Sequence, residues 1–209
     1  MVKNILIDGL ELDGGILCLD FANTVSDRDD VPVTDYIKNF GDLLYWATEK
    51  VDIISEKECK VIEKKATAEP AMALHFYKEA IELRELVHRI FLQVAKKEHI
   101  TAAYLREFNE AMKKYLLHLH LAQKGSSFEE VWDWEPGNFY QITAPIIKTA
   151  HELLLSDKLA RVKECCSEHC GWLFLDTSKN GKRRWCSMDS CGSNDKAIKY
   201  YYRKKEAKE

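Results

Sequence analysis

Between Thr34 and Leu155 the apolar residues recur mostly at three- and four-residue steps, the period of helices that bury one stripe. Thr34 caps the first run, in which Ile37, Phe40, Leu43, Leu44 and Ala47 share a face. Ser55-Glu56-Lys57-Glu58 has the form of a capping box and opens a second helix through Val61 and Ile62. Pro70, suited to a first turn, opens a third that runs to about Lys97, with Leu74, Tyr77, Ile81, Val87, Phe91 and Val94 as its stripe. Thr101 caps a fourth, carrying Tyr104, Leu105, Phe108, Met112, Tyr115, Leu116 and Leu119. A last helix starts at Phe139 or Ala144, close before Pro145, and ends at Leu155. Stripes of this kind are core packing.

Strand-like runs are few in this part of the chain. Ile16–Leu19 follows the Gly14-Gly15 turn, and Phe128–Trp134 follows a break at Gly125-Ser126-Ser127; the two are expected to pair. Asp20, Asn23, Thr24 and Arg28 come next as a polar cluster, read as a turn whose side chains bond the backbone rather than as a ligand pocket. Cys18, in an apolar run, reads as a buried thiol. The expected fold is therefore α+β, mainly α: a helical domain with a small β-sheet over residues 1–157, then a small module over 158–209. Ser156 to Lys163 offers no Gly/Ser or Pro-rich spacer, so the module should pack on the domain.

The chemistry is concentrated in that module. Cys165 and Cys170 form one pair and Cys186 and Cys191 another, each with four residues between its members, and Gly171 to Trp185 separates the pairs. Two short knuckles that each supply two sulfurs are the layout of a four-thiolate zinc site. Cys165 gives matched spacings; Cys166 and His169 are the alternatives for the first ligand. Trp172–Leu175 and Arg183–Trp185 read as two short strands joined by a turn at Ser178-Lys179-Asn180-Gly181. Knuckle, hairpin, then a ligand pair at the start of a helix is the order of a treble-clef-like zinc module. Four sulfurs fill the coordination shell of one structural zinc and leave no open position. No phosphate-binding glycine loop, nucleophile elbow or H-E-x-x-H occurs, so the expectation is that the protein is not an enzyme. The histidines at 75, 88, 99, 118 and 120 read as surface or interface residues, with His118 and His120 on different faces of a helix.

Charge sharpens the division. The net charge is −3, yet residues 160–209 hold twelve Lys/Arg against seven Asp/Glu, while residues 1–159 hold nineteen against twenty-seven. Lys182, Arg183 and Arg184, with Lys179, surround the expected turn; Lys196, Lys199 and Arg203 recur at helical steps near the end. Two basic strips flanking one zinc suit a phosphate backbone. Docking onto another protein is the competing use, and acids at Asp27, Asp29, Asp30, Asp189 and Asp195 oppose a duplex. No apolar run is long enough for a spanning helix and the amino terminus is too acidic for a secretory signal, so a reducing cytoplasm is expected, with no membrane partner.

The run CGWLFLDTSKNGKRRWCSMDSCG closely resembles the CGNR zinc-finger family of bacterial proteins, and Gly14-Gly15-Ile16-Leu17-Cys18-Leu19-Asp20-Phe21-Ala22-Asn23-Thr24 looks like the opening of the ABATE domain that precedes that finger. The resemblance covers the whole chain. It implies a stress-induced transcriptional regulator whose finger binds DNA, with the first domain serving for sensing or homo-oligomerisation. The chain departs from the family at its signature, reading Cys191-Gly192-Ser193-Asn194 where Cys-Gly-Asn-Arg is expected. Asn194 lacks the rigid donor fork of a guanidinium, so the resemblance implies an intact metal site and a weakened DNA contact.

Overall fold

The chain order is α1 (Ile5–Asp8), α2 (Leu17–Ala22), α3 (Phe40–Tyr45) continued by a π-turn (Trp46–Lys50), α4 (Glu56–Ala68), α5 (Pro70–Ala95) and α6 (Ala102–Leu116). The hairpin β1 (Leu119–Lys124) and β2 (Ser127–Trp132) comes next, then α7 (Ala144–Leu155). The short hairpin β3 (Val162–Glu164) and β4 (Leu173–Leu175) leads to a second π-turn (Met188–Gly192) and α8 (Ser193–Glu206). This computed structural model describes residues 3–26, 28 and 32–206; the side chains of Lys199, Tyr202 and Glu206 lie outside that description, as do Asp27, Asp29 and Asp30. The mainly helical α+β character holds, with two two-stranded antiparallel sheets among the described residues.

The long helices begin where their capping chemistry dictates. Ser55 accepts from the Glu58 amide while Glu58 reaches back to the Ser55 amide, closing the capping box of α4. Pro70 stands in the first turn of α5, where its missing N–H costs nothing. One face of α5, including Phe76, Ala80, Val87, Ile90 and Phe91, is buried and meets α2, α3, α4 and α6.

Four sequence expectations are corrected. Ile16–Leu19 is not a strand: Leu17 starts the one-and-a-half-turn helix α2, packed on α5 and α7. A four-residue apolar run carries no decisive period, and burial of Cys18, Leu19, Phe21 and Ala22 settles it as helix. Thr34 is not a cap, because Asp35 bridges to Val25 in extended backbone and the helix waits for Asn39, whose side chain accepts from the Asp42 amide. Arg84, 3% exposed, holds Asp35 in a two-pronged ion pair at 2.8 and 2.7 Å, which keeps that segment extended. The fourth helix stops at Leu116, and Leu119–Lys124 becomes the partner of β2, with Leu119 opposite Trp132 and Lys124 opposite Ser127. A partner across a two-residue turn closes a far smaller loop than Ile16 would. Finally, β4 pairs with β3, Val162 opposite Leu175, rather than with Arg183–Trp185, which is not a strand.

The last pairing fixes how the module sits. Leu173 and Leu175 point into the helical core with Val162, while Phe174 between them points to the cysteines. Period-two alternation thus makes β4 a wall between two small worlds, one aliphatic and one of sulfur.

Candidate metal centre

Backbone bonds bring the four cysteines together. The Cys165 amide donates to the Trp172 carbonyl at 2.8 Å, closing the first knuckle, and Gly171 takes the left-handed φ of 61° that this reversal requires. The Cys166 amide donates to the Arg184 carbonyl at 2.9 Å, and the Cys166 side chain is exposed. Cys165, Cys170, Cys186 and Cys191 have sulfurs all within 4.8 Å of one another; neither Cys166 nor the exposed His169 belongs to the group. Sγ separations of 3.6 Å for Cys170–Cys186 and 3.7 Å for Cys186–Cys191 are far longer than a disulfide. They match the edge of about 3.8 Å that four sulfurs make around a zinc at about 2.3 Å.

The electrostatics point the same way. Cys165 is held down by hydrogen bonds from the Cys170 and Cys186 thiols, and the same contacts push Cys170 and Cys186 up. Thiols packed this closely ionise together only when a cation replaces their protons. The Cys186 amide already donates to the Cys165 sulfur at 3.4 Å, orienting it toward the centre. The residues present therefore fit one structural zinc.

The loop between the pairs is held by charges that sequence reasoning passed over. Asp176 has no exposed surface and accepts from Lys163 Nζ at 2.7 Å, from the Ser178 amide and hydroxyl, and from the Arg183 amide. Against the desolvation that opposes it, this shell holds the carboxyl well below the usual range. Lys163 also donates to the Gly181 and Arg183 carbonyls, and Arg161 to those of Asp176 and Ser178. Buried acids and bases of this sort leave no periodic signal; Asp176, following a buried strand directly, is the one hint.

Of the predicted basic contacts, Lys182, Arg184, Lys196 and Arg203 are exposed, and Arg184 lies over the Trp185 ring at 5.1 Å. Arg183 is turned inward. Its guanidinium lies 4.8 Å over Phe174, with Nε donating to the Trp185 carbonyl and a terminal nitrogen to that of Cys186. In this position it braces the metal centre. The side chain of Lys199 is outside the described residues.

The polar cluster after Gly14 proves to be the joint. Asn23, 1% exposed, donates from its amide to the Leu173 carbonyl at 2.8 Å and accepts from the Leu173 amide at 3.0 Å. Trp172 Nε1 donates to the Val25 carbonyl and the Leu175 amide to the Gly14 carbonyl. A Cβ on Gly14 would stand 2.7 Å from the Asp20 amide nitrogen, so only glycine fits. Asp20 accepts from the Gly14 amide at 2.8 Å, and burial pushes its carboxyl up to about 6. Arg28 pairs with Glu85 at 2.9 Å and donates to the Ala22 carbonyl. His88 is likewise buried, bonded to the Gly171 backbone; desolvation, then the nearby Arg28 charge, pushes it down to about 4. The expectation that the module packs on the domain holds, through side-chain-to-backbone bonds that span about 150 residues of sequence.

The profile of the CGNR zinc finger matches residues 161–204, and that of the ABATE domain, described as "Putative stress-induced transcription regulator", matches residues 15–157. The chain belongs to the ABATE family and ends in a CGNR zinc finger. No curated protein matches it. Among the described residues, no helix is long and apolar enough to cross a membrane.

Proposed function

We propose that this ABATE-family protein is a cytoplasmic, DNA-binding transcriptional regulator, not an enzyme, in which Cys165, Cys170, Cys186 and Cys191 hold one structural zinc. The zinc module, residues 158–209, contacts the duplex, and residues 1–157 serve for sensing or self-association. The observation that carries the reading is the placement of exposed cations on both elements that leave the cysteine cluster. Lys179, Lys182 and Arg184 lie on the loop before Cys186, and Lys196 and Arg203 on the helix after Cys191. Cations so arranged around a rigid centre follow a phosphate backbone and release its counterions. We read the module as treble-clef-like, with the strand after the knuckle paired back to β3.

Fluorescence anisotropy of zinc-loaded protein on random duplex of about 30 base pairs, across a salt series, tests this. Affinity should fall steeply with salt, and Lys182→Ala/Arg184→Ala should flatten the log–log slope by about 2, one unit per lost phosphate contact. Arg183 is left in place because its loss would disturb the fold. A salt-independent or absent interaction would sink the proposal. Asn194, in place of the signature guanidinium, and the exposed Asp189 favour a second reading, in which the module docks a protein partner and its zinc is purely structural.

A further inference from the structure

A groove of about 770 Å³ lies between the start of α4 and the β1–β2 hairpin, away from the cysteine cluster. That volume is within the usual range for sites that enclose a small organic molecule. Its apolar wall is aromatic. Trp132 and Trp134 lie nearly parallel, with centroids 5.6 Å apart and an interplanar angle of 14°, and both line the groove. His118 covers Trp134 at 4.2 Å, so Trp132 ends the row; among the described residues no other ring stacks on it. Ile53, Ile54, Val61, Val131, Pro136 and Pro145 supply the rest of its apolar lining.

The rim is unbalanced in charge. Glu58, Glu129 and Glu130 line the groove against a single ammonium, that of Lys57. Among the described residues, Glu58 is engaged by the neutral Ser55 and pairs with no cation. Glu129 reaches Lys124 outside the groove at 3.2 Å, an exposed pair that water screens. Glu130 reaches Lys148 at 2.8 Å, but Lys148 is shared with Glu152, so one cation serves two carboxylates. A flat indole face beneath an excess of negative charge selects against anions and favours a planar molecule that is itself positive.

We infer that this groove binds a planar aromatic cation, stacked on Trp132 and steered by Glu58, Glu129 and Glu130. The site sits on the domain assigned to sensing, yet the inference stands whether or not the zinc module touches DNA. Both walls are held from the main core: Trp132 packs against it and is paired with Leu119, and α4 is anchored by the buried Cys59 and Ile62. The ligand thus meets a formed surface and not a loop that must first be ordered, which lowers the cost of binding.

Isothermal titration of the full-length, zinc-loaded protein with three probes of similar ring size tests it: N-methylquinolinium, uncharged quinoline at pH above 7, and naphthalene-2-sulfonate. N-methylquinolinium should bind about tenfold more tightly than quinoline, the amount a desolvated cation–π contact plus carboxylates supplies, and the sulfonate most weakly. Glu129→Gln/Glu130→Gln should lower the affinity for the cation severalfold and leave quinoline unchanged. These isosteric changes lie at exposed positions and spare the fold. Trp132→Ala, checked for retained helicity by circular dichroism, should weaken both the cation and quinoline by about tenfold. Equal affinity for cation and sulfonate, or no heat from any probe, would overturn the inference. So would a groove filled by a second copy, seen as a dimer in sedimentation that Trp132→Ala dissociates while no probe binds.

Discussion

The helical domain and the zinc module reach their stability by different routes. The domain buries a continuous set of large side chains, among them Trp46, Phe21, Phe91 and Ile62, and such burial contributes about 25 cal/mol per Å² of apolar surface. Among the described residues, the module's own core is Phe174 and three buried cysteines, with Trp172, Trp185 and Cys191 packed against them. So few apolar groups cannot offset the ordering entropy of the residues after Leu175. A metal and a web of buried charge around Asp176 take the place of a core. The two regions are not independent, however, because Val162, Leu173 and Leu175 of the β3–β4 hairpin belong to the domain's core. The module is half an insertion into its neighbour.

The sharpest way to separate the two is to remove the metal. Cys186→Ser, or chelation of the wild type, should reduce bound zinc from one to none per chain and release residues 176–206 to fast amide exchange. Zinc supplies on the order of 10 kcal/mol of folding free energy in such modules. Exchange in α5 and α7 should stay slow, and so should β4, which leans on the aliphatic core. Loss of protection throughout the chain would mean that the domain depends on the module as well.

Next in size is the joint. Asn23→Ala removes both partners of the buried Leu173 amide and carbonyl, at a cost of about 1–3 kcal/mol for each group left unsatisfied. Thermal unfolding should then split into two transitions, the first belonging to the module. A single transition at an unchanged midpoint would show that the joint carries no stability.

A pair of titrations tests the same contact. The neutral His88 has its pKa lowered to about 4 from 6.5, so its contribution is complete above about 6.5 and is lost as pH falls toward 4. Asp20 is raised to about 6 from 3.8, so its contribution is complete below about 3.8 and is lost as pH rises through 6. Each shift corresponds to about 3 kcal/mol, and the two oppose each other over nearly the same window. Denaturant midpoints should vary little between pH 4 and 6.5 in the wild type as far as these two groups decide. His88→Asn should tilt the profile toward greater stability in acid, and Asp20→Asn toward greater stability at neutral pH. Parallel profiles in all three proteins would refute both assignments.

The smallest effect concerns two adjacent arginines. Arg183→Ala should lower the melting temperature through loss of its carbonyl bonds and its contact with Phe174, whereas Arg184→Ala should leave stability within about 0.5 kcal/mol, as exposed substitutions do. Identical melting curves for the two variants would return Arg183 to the surface.

How much of this could be read from the sequence depends on the range of the interaction. Local chemistry was legible. The capping box at Ser55, Pro70 at a helix start, the stripe of α5 and the spacing of the cysteine pairs all act within a few residues, and each appears where it was expected. Matched spacing favoured Cys165 over its neighbour Cys166, and Cys165 is the one in the cluster; the direction that separates these adjacent residues is set by the bond from the Cys166 amide to Arg184. The strand partners were misread because a strand's pattern says which face is buried and not which strand lies beside it.

The sequence by itself therefore determined the helical class and the metal chemistry, both of which follow from short-range periodicity and ligand spacing. Only the tertiary structure decided that Ile16–Leu19 coils, that Asn23 reads the backbone of Leu173, that Arg183 turns inward, and that Asp176 organises the loop. Those outcomes hang on groups brought together from distant parts of the chain. Burial makes an unpaired polar atom costly there, and the partner that satisfies it leaves no mark on the residues around it.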